Sequence, residues 1–255
     1  MGTFDPNLLS FSLLFIASLF AGFVDSIAGG GGLISLPALI SVGLPPQIAL
    51  GTNKLQGTFG ALSAAYTYAR NGAAPLKPIR WGILYTFLGA LLGAWAIQQM
   101  DAGFLKHLIP WLLLLVLSYT LASPRLGFKA RRAIMPPNRF FLVFGLSLGF
   151  YDGFFGPGAG SFWTAAFLVL MGLEMTQASG YTKVVNFTSN IVALAMFVVG
   201  NNVLYSAGII MAIGQIVGAS VGSSLAIKKG ARFIRPVFLT MVFLTLARMV
   251  YLNYA

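Results

Sequence analysis

Two acids and two lysines stand in stretches of this chain that otherwise read as hydrocarbon-facing. Asp25 lies in GFVDSIAGGGG, residues 22–32, and Asp152 in GFYDGFFGPGAG, residues 149–160. Lys54 lies in ALGTNKLQ, residues 49–56, and Lys183 in ASGYTKVVNFTSN, residues 178–190. A charge at the membrane centre costs from ~2.5 kcal/mol upward. Each lysine must therefore be near the interface, paired, or bound to an anion, and each carboxylate marks a candidate functional site. The glycine runs add a second constraint. Broken backbone at membrane depth is tolerated only where protein buries it or where it lines a cavity. Helix N-termini with free amides, beside lysines and small polar side chains, suit an oxyanion such as a sulfonate or sulfite. The candidate binding set is Lys54, Lys183, Asn53, Gln56, Thr182, Asn186, Gly30, Gly31 and Gly158, with further polar groups on Thr52, Thr188, Ser189 and Asn190. Asp25 and Asp152 are candidates for charge pairing or proton coupling.

A plainer reading uses the same residues. Two charges of each sign pair across the molecule and lock broken helices together, and the glycines are close-packing points between helices. GGGG is not the dinucleotide fingerprint GxGxxG, since Ile34 takes the place of the third glycine and no soluble strand–helix unit surrounds it. Pro157 has no amide hydrogen, so the second break is real on either reading. Gln215, in GQIVGASVGSS, is read mainly as a helix-packing residue, with substrate contact as the alternative. Glu174 and His107 are expected at the membrane surface, and Arg248 at a helix end, its side chain reaching outward. The chain has no cysteine and one histidine. That excludes disulfides, thiol chemistry and His-cluster metal sites, and no cofactor is expected.

The elements that must position these residues are membrane segments. Of 255 residues, 58% are hydrophobic and 8% charged, against roughly 25% charged in soluble domains. The mean hydropathy is +0.85. The net charge of +11 does not indicate nucleic acid, because Lys and Arg fall mostly between apolar segments, where they set orientation. The first cation is Lys54, so the N-terminal segment is expected to be a retained helix rather than a cleaved signal. Apolar stretches run 7–28, 33–43, 48–69, 79–100 and 104–121, then 138–155, 160–172, 176–199, 203–226 and 232–252. A crossing needs about 20 apolar residues, so 33–43 and 160–172 are read as half-helices or re-entrant pieces.

The two sets are copies of one another. Asp152 follows Asp25 by 127 positions (152 − 25), as Gly149 follows Gly22 (149 − 22). Lys183 follows Lys54 by 129 (183 − 54), as Gly180 follows Gly51 (180 − 51). Charge placement then orients them. Connector 122–137 carries Arg125, Lys129, Arg131 and Arg132, and the loop near 70–80 carries Arg70, Lys77 and Arg80. Both should be cytoplasmic. The second-half counterpart of the latter loop, Gly200-Asn201-Asn202, is uncharged, whereas Lys228, Lys229, Arg232 and Arg235 answer a first-half loop holding only Asp101 and Lys106. Opposite charge bias implies opposite topology and both termini outside. The expected fold is an all-α polytopic membrane protein of two inverted-topology repeats, about five helical segments each. The divisions are 1–121, a basic cytoplasmic connector 122–137, and 138–255.

GFVDSIAGGGGLISLPAL with the following LGTNKLQ, and GFYDGFFGPGAGSF with TKVVNFTSN, resemble the TauE/SafE sulfite exporter family. The resemblance spans about residues 8 to 252 and covers both copies of both motifs. It implies about eight transmembrane helices and movement of sulfite, thiosulfate or organosulfonates. The expected protein is therefore a secondary transporter of a small sulfur-containing anion, working by alternating access at a midplane site in a bacterial inner membrane. Export of a monoanion gains ~2.3 kcal/mol per 100 mV from an inside-negative potential, which favours efflux. An anion channel is the alternative; a membrane-embedded enzyme or assembly factor has less support, lacking converging catalytic groups. The expected partners are the anion and the bilayer, with no nucleic acid; the oligomeric state is left open, a homodimer included.

Overall fold

The computed structural model describes residues 8–101, 103–105, 107–109, 111–112, 132–230 and 236. Arg125, Lys129 and Arg131 of the connector, Lys106, Arg232, Arg235, Arg248, most of 104–121 and nearly all of 232–252 lie outside the described residues.

Among the described residues eight helices are delimited: α1 (Leu8–Ala28), α2 (Gly32–Ser41), α3 (Pro46–Arg70), α4 (Leu76–Gln98), α5 (Pro137–Phe154), α6 (Ala159–Val169), α7 (Met175–Val199) and α8 (Tyr205–Lys229). No strand occurs among the described residues. Among the described residues four helices, α1, α4, α7 and α8, are each long and apolar enough to cross a membrane. The chain is a multi-pass membrane protein. Helix α3 is as long as α7, 25 residues, but its polar residues take it out of that group. Most of them are buried inside the protein.

Local sequence sets the helix limits. Prolines 45 and 46 open α3, and prolines 136 and 137 open α5, where a missing amide hydrogen costs nothing. Arg70 closes α3, and Lys228 and Lys229 close α8, where cations complement the helix dipole. Glycines at 29 and 30, with φ of 78° and 99°, stop α1. Gly156 and Gly158, with φ of 100° and 82°, flank Pro157 after α5. Side chains rarely accept such angles. The short helices that follow, α2 with 10 residues and α6 with 11, extend about 15 Å each. That is half the hydrocarbon thickness, so the half-helix expectation for 33–43 and 160–172 holds in length.

The largest helix interfaces are crosswise: α1 packs along α8, and α4 along α5. Small residues permit it. Gly214, Gly218 and Gly222 on α8 leave room for the α1 backbone, while Gly145, Gly149 and Gly153 on α5 do the same for α4. A β-carbon on Gly22 would lie 2.5 Å from the Gln215 carbonyl oxygen, and one on Gly149 2.7 Å from that of Thr86. These four-residue glycine spacings are the close-packing device of membrane helices.

Helices α3 and α7 pack against each other and run antiparallel, the start of each lying beside the end of the other. The start of α3 (Ala49, Leu50) shares an apolar cluster with the end of α7 (Ala193, Phe197) and with Leu36 and Leu39 of α2. The end of α3 (Ala65, Tyr68) shares another with the start of α7 (Ala178, Tyr181) and with Trp163 and Phe167 of α6. Between these apolar ends, the middle turns of α3 and α7 are polar. Glu174 is exposed at the start of α7, and His107 is exposed with Nδ1 2.9 Å from the Gly103 carbonyl oxygen.

Candidate functional site

The middle turns of α3 and α7 meet the two glycine breaks, and there the four intramembrane charges pair. Lys54 Nζ lies 2.8 Å from Asp152 Oδ1, and Lys183 Nζ lies 2.8 Å from Asp25 Oδ2. Each pair joins one half of the chain to the other. The pairing foreseen as the plainer reading is what the structure contains. The four formal charges sum to zero, so the site carries no net charge.

The two pairs are held differently. Lys54 also donates to the Asp152 main-chain oxygen, and Ser189 Oγ donates to Asp152 Oδ2. Both carboxylate oxygens of Asp152 are engaged, and its side chain is 3% exposed. Asp25 accepts from Lys183 and, at 3.1 Å, from the Gly31 amide across the break. Its side chain is 21% exposed. The Gly31 contact places a backbone amide on an anion, as the sequence leads one to expect, but the anion is the protein's own carboxylate.

A second correspondence ties each half-helix to its neighbour. Ser35 Oγ on α2 donates to Asn53 Oδ1 on α3 at 2.6 Å. On the other side Thr164 Oγ1 of α6 and Thr182 Oγ1 of α7 are 3.0 Å apart. Both steps are 129 positions (164 − 35 and 182 − 53). Ser35 and Thr164 are site-building residues that the motifs did not flag; extending the repeat offset past the breaks would have found them. Tyr68 Oη, donating to the Ser26 oxygen at 2.9 Å, and Ser179 Oγ, donating to the Ile27 oxygen at 3.2 Å, hold the end of α1 in place.

Between the pairs lies a polar cavity of about 40 Å³. Of the candidates read from the sequence, Asp25, Gly30, Asn53, Lys54, Gln56, Asp152, Gly158 and Asn186 line it. Gly31, Thr182 and Lys183 do not: Gly31 is turned to Asp25, Thr182 to Thr164 and Lys183 to Asp25. Gln215 of α8 also lines the cavity, so its packing role against Gly22 and its exposure to the site coexist.

Gln56 Nε2 donates to Asn53 Oδ1 at 2.8 Å, which already accepts from Ser35. Gln56 Oε1, Asn186 Oδ1 and Gln215 Oε1 are buried without any hydrogen-bond partner. An unpaired buried polar group costs ~1–3 kcal/mol, so three around one cavity call for an occupant. A cavity needs roughly 10–15 Å³ of this kind for one water. The space takes a water-sized occupant or two and is too small for an organosulfonate in this form. Among the described residues, no three His, Cys, Asp or Glu side chains group as a metal site.

Comparison with known proteins gives a consistent result. The family model described as "Sulfite exporter TauE/SafE" matches residues 14–249. A "Probable membrane transporter protein" of Haemophilus influenzae is 42% identical over 240 residues, covering 94% of each chain. "Probable membrane transporter protein YfcA" of Escherichia coli is 40% identical over 247 residues, covering 97% of this chain and 91% of the relative. "Probable membrane transporter protein ORF9" of a Sinorhizobium species is 43% identical over 241 residues, with 94% and 91% covered. No solved structure matches the chain.

Proposed function

The chain belongs to the sulfite exporter TauE/SafE family of membrane transporters, and on that premise we propose that it exports a small sulfur-containing anion across a bacterial inner membrane. The observation that carries this reading is the pair of buried Lys–Asp bridges set against two glycine breaks around one cavity. A lysine held by a carboxylate is a preformed anion site whose resting occupant belongs to the protein. An incoming sulfite, thiosulfate or sulfonate competes with the carboxylate for the ammonium. The exchange keeps the lysine paired throughout, which avoids the large cost of a bare charge in a low-dielectric interior.

Because the cavity holds only a water-sized occupant, anion entry requires one pair to open and the breaks to hinge. The Lys183–Asp25 pair is the one that yields. Asp25 keeps the Gly31 amide when Lys183 leaves, and its side chain already reaches accessible space. The amide nitrogens of Asn53, Gln56 and Asn186 then turn to the anion's oxygens, Gln56 giving up its bond to Asn53. The antiparallel α3 and α7 and the crosswise packing of α1 with α8 and α4 with α5 support two inverted repeats, 1–121 and 138–255, joined by a cytoplasmic connector at 122–137. Rocking one repeat against the other opens the site to either side, the alternating-access scheme of such folds. Both termini then lie on the periplasmic face.

Direct binding to the purified protein in detergent tests this, with a panel of sulfite, thiosulfate, sulfoacetate, taurine, sulfate and chloride. The expected result is saturable binding of one sulfur anion, lost in folded Lys183→Ala protein. Binding unchanged in both Lys54→Ala and Lys183→Ala, or no binding across the panel, overturns the reading.

A further inference from the structure

The proposed anion leaves part of the cavity unexplained. Three of its lining residues, Gln56, Asn186 and Gln215, on three different helices, each carry a neutral amide oxygen buried without a hydrogen-bond partner. All three residues are more than nine-tenths buried, and none of these oxygens meets a donor. Oxygen acceptors repel an anion. We propose that this cavity is a binding site for a small monovalent cation, with Na⁺ the fitting ion.

The ligand chemistry selects that class. Hard cations take oxygen ligands from amide carbonyls and carboxylates. Here the three amide oxygens are joined by Asp25, whose side chain is partly accessible and lines the same space. Amide groups do not titrate, so they form no proton site. A divalent ion needs more negative charge than the cavity supplies, since Asp152 is spent on Lys54 and Ser189 and Asp25 is shared with Lys183. A volume of about 40 Å³ admits a dehydrated Na⁺ without rearrangement, unlike an organosulfonate. Lys54 borders the cavity, but its charge is neutralised 2.8 Å away by Asp152. Gln56 is also fixed in the required orientation: its amide nitrogen is bound to Asn53, leaving the oxygen free.

The broken helices supply the setting. Cation sites in transporters form beside unwound backbone and half-helix ends, and glycines 30, 32, 156 and 158 line this cavity. If the transporter reading holds, the cation is its coupling ion; binding of the cation does not depend on that reading.

The test uses the full-length protein in detergent, without any sulfur anion. Radiolabelled Na⁺ binding and the unfolding temperature are measured while NaCl replaces choline chloride at constant total salt. Saturable binding and Na⁺-specific stabilisation are expected, because a ligand that binds only the folded state raises its stability. Gln215→Glu adds a carboxylate and should tighten binding. Gln215→Met and Asn186→Leu should each weaken it by roughly tenfold or more. Equal behaviour in Na⁺ and choline means the cavity holds only water and overturns the proposal, as does a Gln215→Glu protein that folds and binds Na⁺ no better. Na⁺ binding without any anion binding leaves this site standing and removes the anion reading; the reverse result does the opposite.

Discussion

The two glycine breaks start from nearly the same motif and end in different states. At the second, Asp152 is closed off: Lys54 holds it twice and Ser189 once. At the first, Asp25 has one lysine, one backbone amide and a partly accessible face. A single neighbour accounts for much of the difference. The repeat partner of Ser189 is Gly60 (189 − 129), and a side chain on Gly60 would run into the methylene stem of Gln215. Where Asp152 gains a serine, the Asp25 side admits a glutamine that lines the cavity. The partner of Gln215 is Thr86 (215 − 129), buried and too short to do the same. One break holds its carboxylate closed, and the other leaves its carboxylate partly accessible.

The largest effect should come from breaking the tighter pair. Lys54→Ala leaves Asp152 buried with only Ser189, and stranding a buried charge costs roughly 3–5 kcal/mol. Lys183→Ala should cost clearly less, since Asp25 keeps the Gly31 amide and some access. Reversible unfolding of both variants in mixed micelles checks the order; equal losses would erase the distinction between the sites.

Ser189→Ala should make the second site resemble the first. Loss of a hydrogen bond to a charged group is worth roughly 1.5–3 kcal/mol. The expected readout is a stability drop of that size with the Lys54–Asp152 pair kept, and anion affinity within about twofold of wild type, since Ser189 does not line the cavity. A large change in affinity would mean that the second pair opens during binding as well.

The smallest effect belongs to Thr182→Val. It removes the Thr164 contact on the α6 side, worth roughly 0.5–1.5 kcal/mol. Anion binding should be unchanged, because Thr182 is turned away from the cavity. Loss of binding in folded Thr182→Val protein would restore the substrate-orienting role that its place beside Lys183 suggests.

Much was legible from the sequence because hydrocarbon is an unforgiving solvent. Twenty-residue apolar runs can only be helices there, so segment limits, the two short pieces and the membrane class follow from composition. Asp25, Lys54, Asp152 and Lys183 stand out for the same reason: charges are rare in such runs and must be answered. Offsets of 127 before the short segment and 129 after it relate the two sets of motifs without any coordinates.

The sequence left open which charge answers which. Pairing across the molecule was the plainer reading, and the structure supplies its geometry: α3 and α7 pack together and present Lys54 to Asp152 and Lys183 to Asp25, each at the break of the other half. Nor did the motifs reveal that Gln215 reaches the cavity from α8 while Lys183 and Thr182 turn away from it. Those outcomes depend on the side-chain direction of single residues and on which glycines let helices approach. Hydropathy, averaged over a segment, fixes what must be buried; only packing decides what each buried group faces.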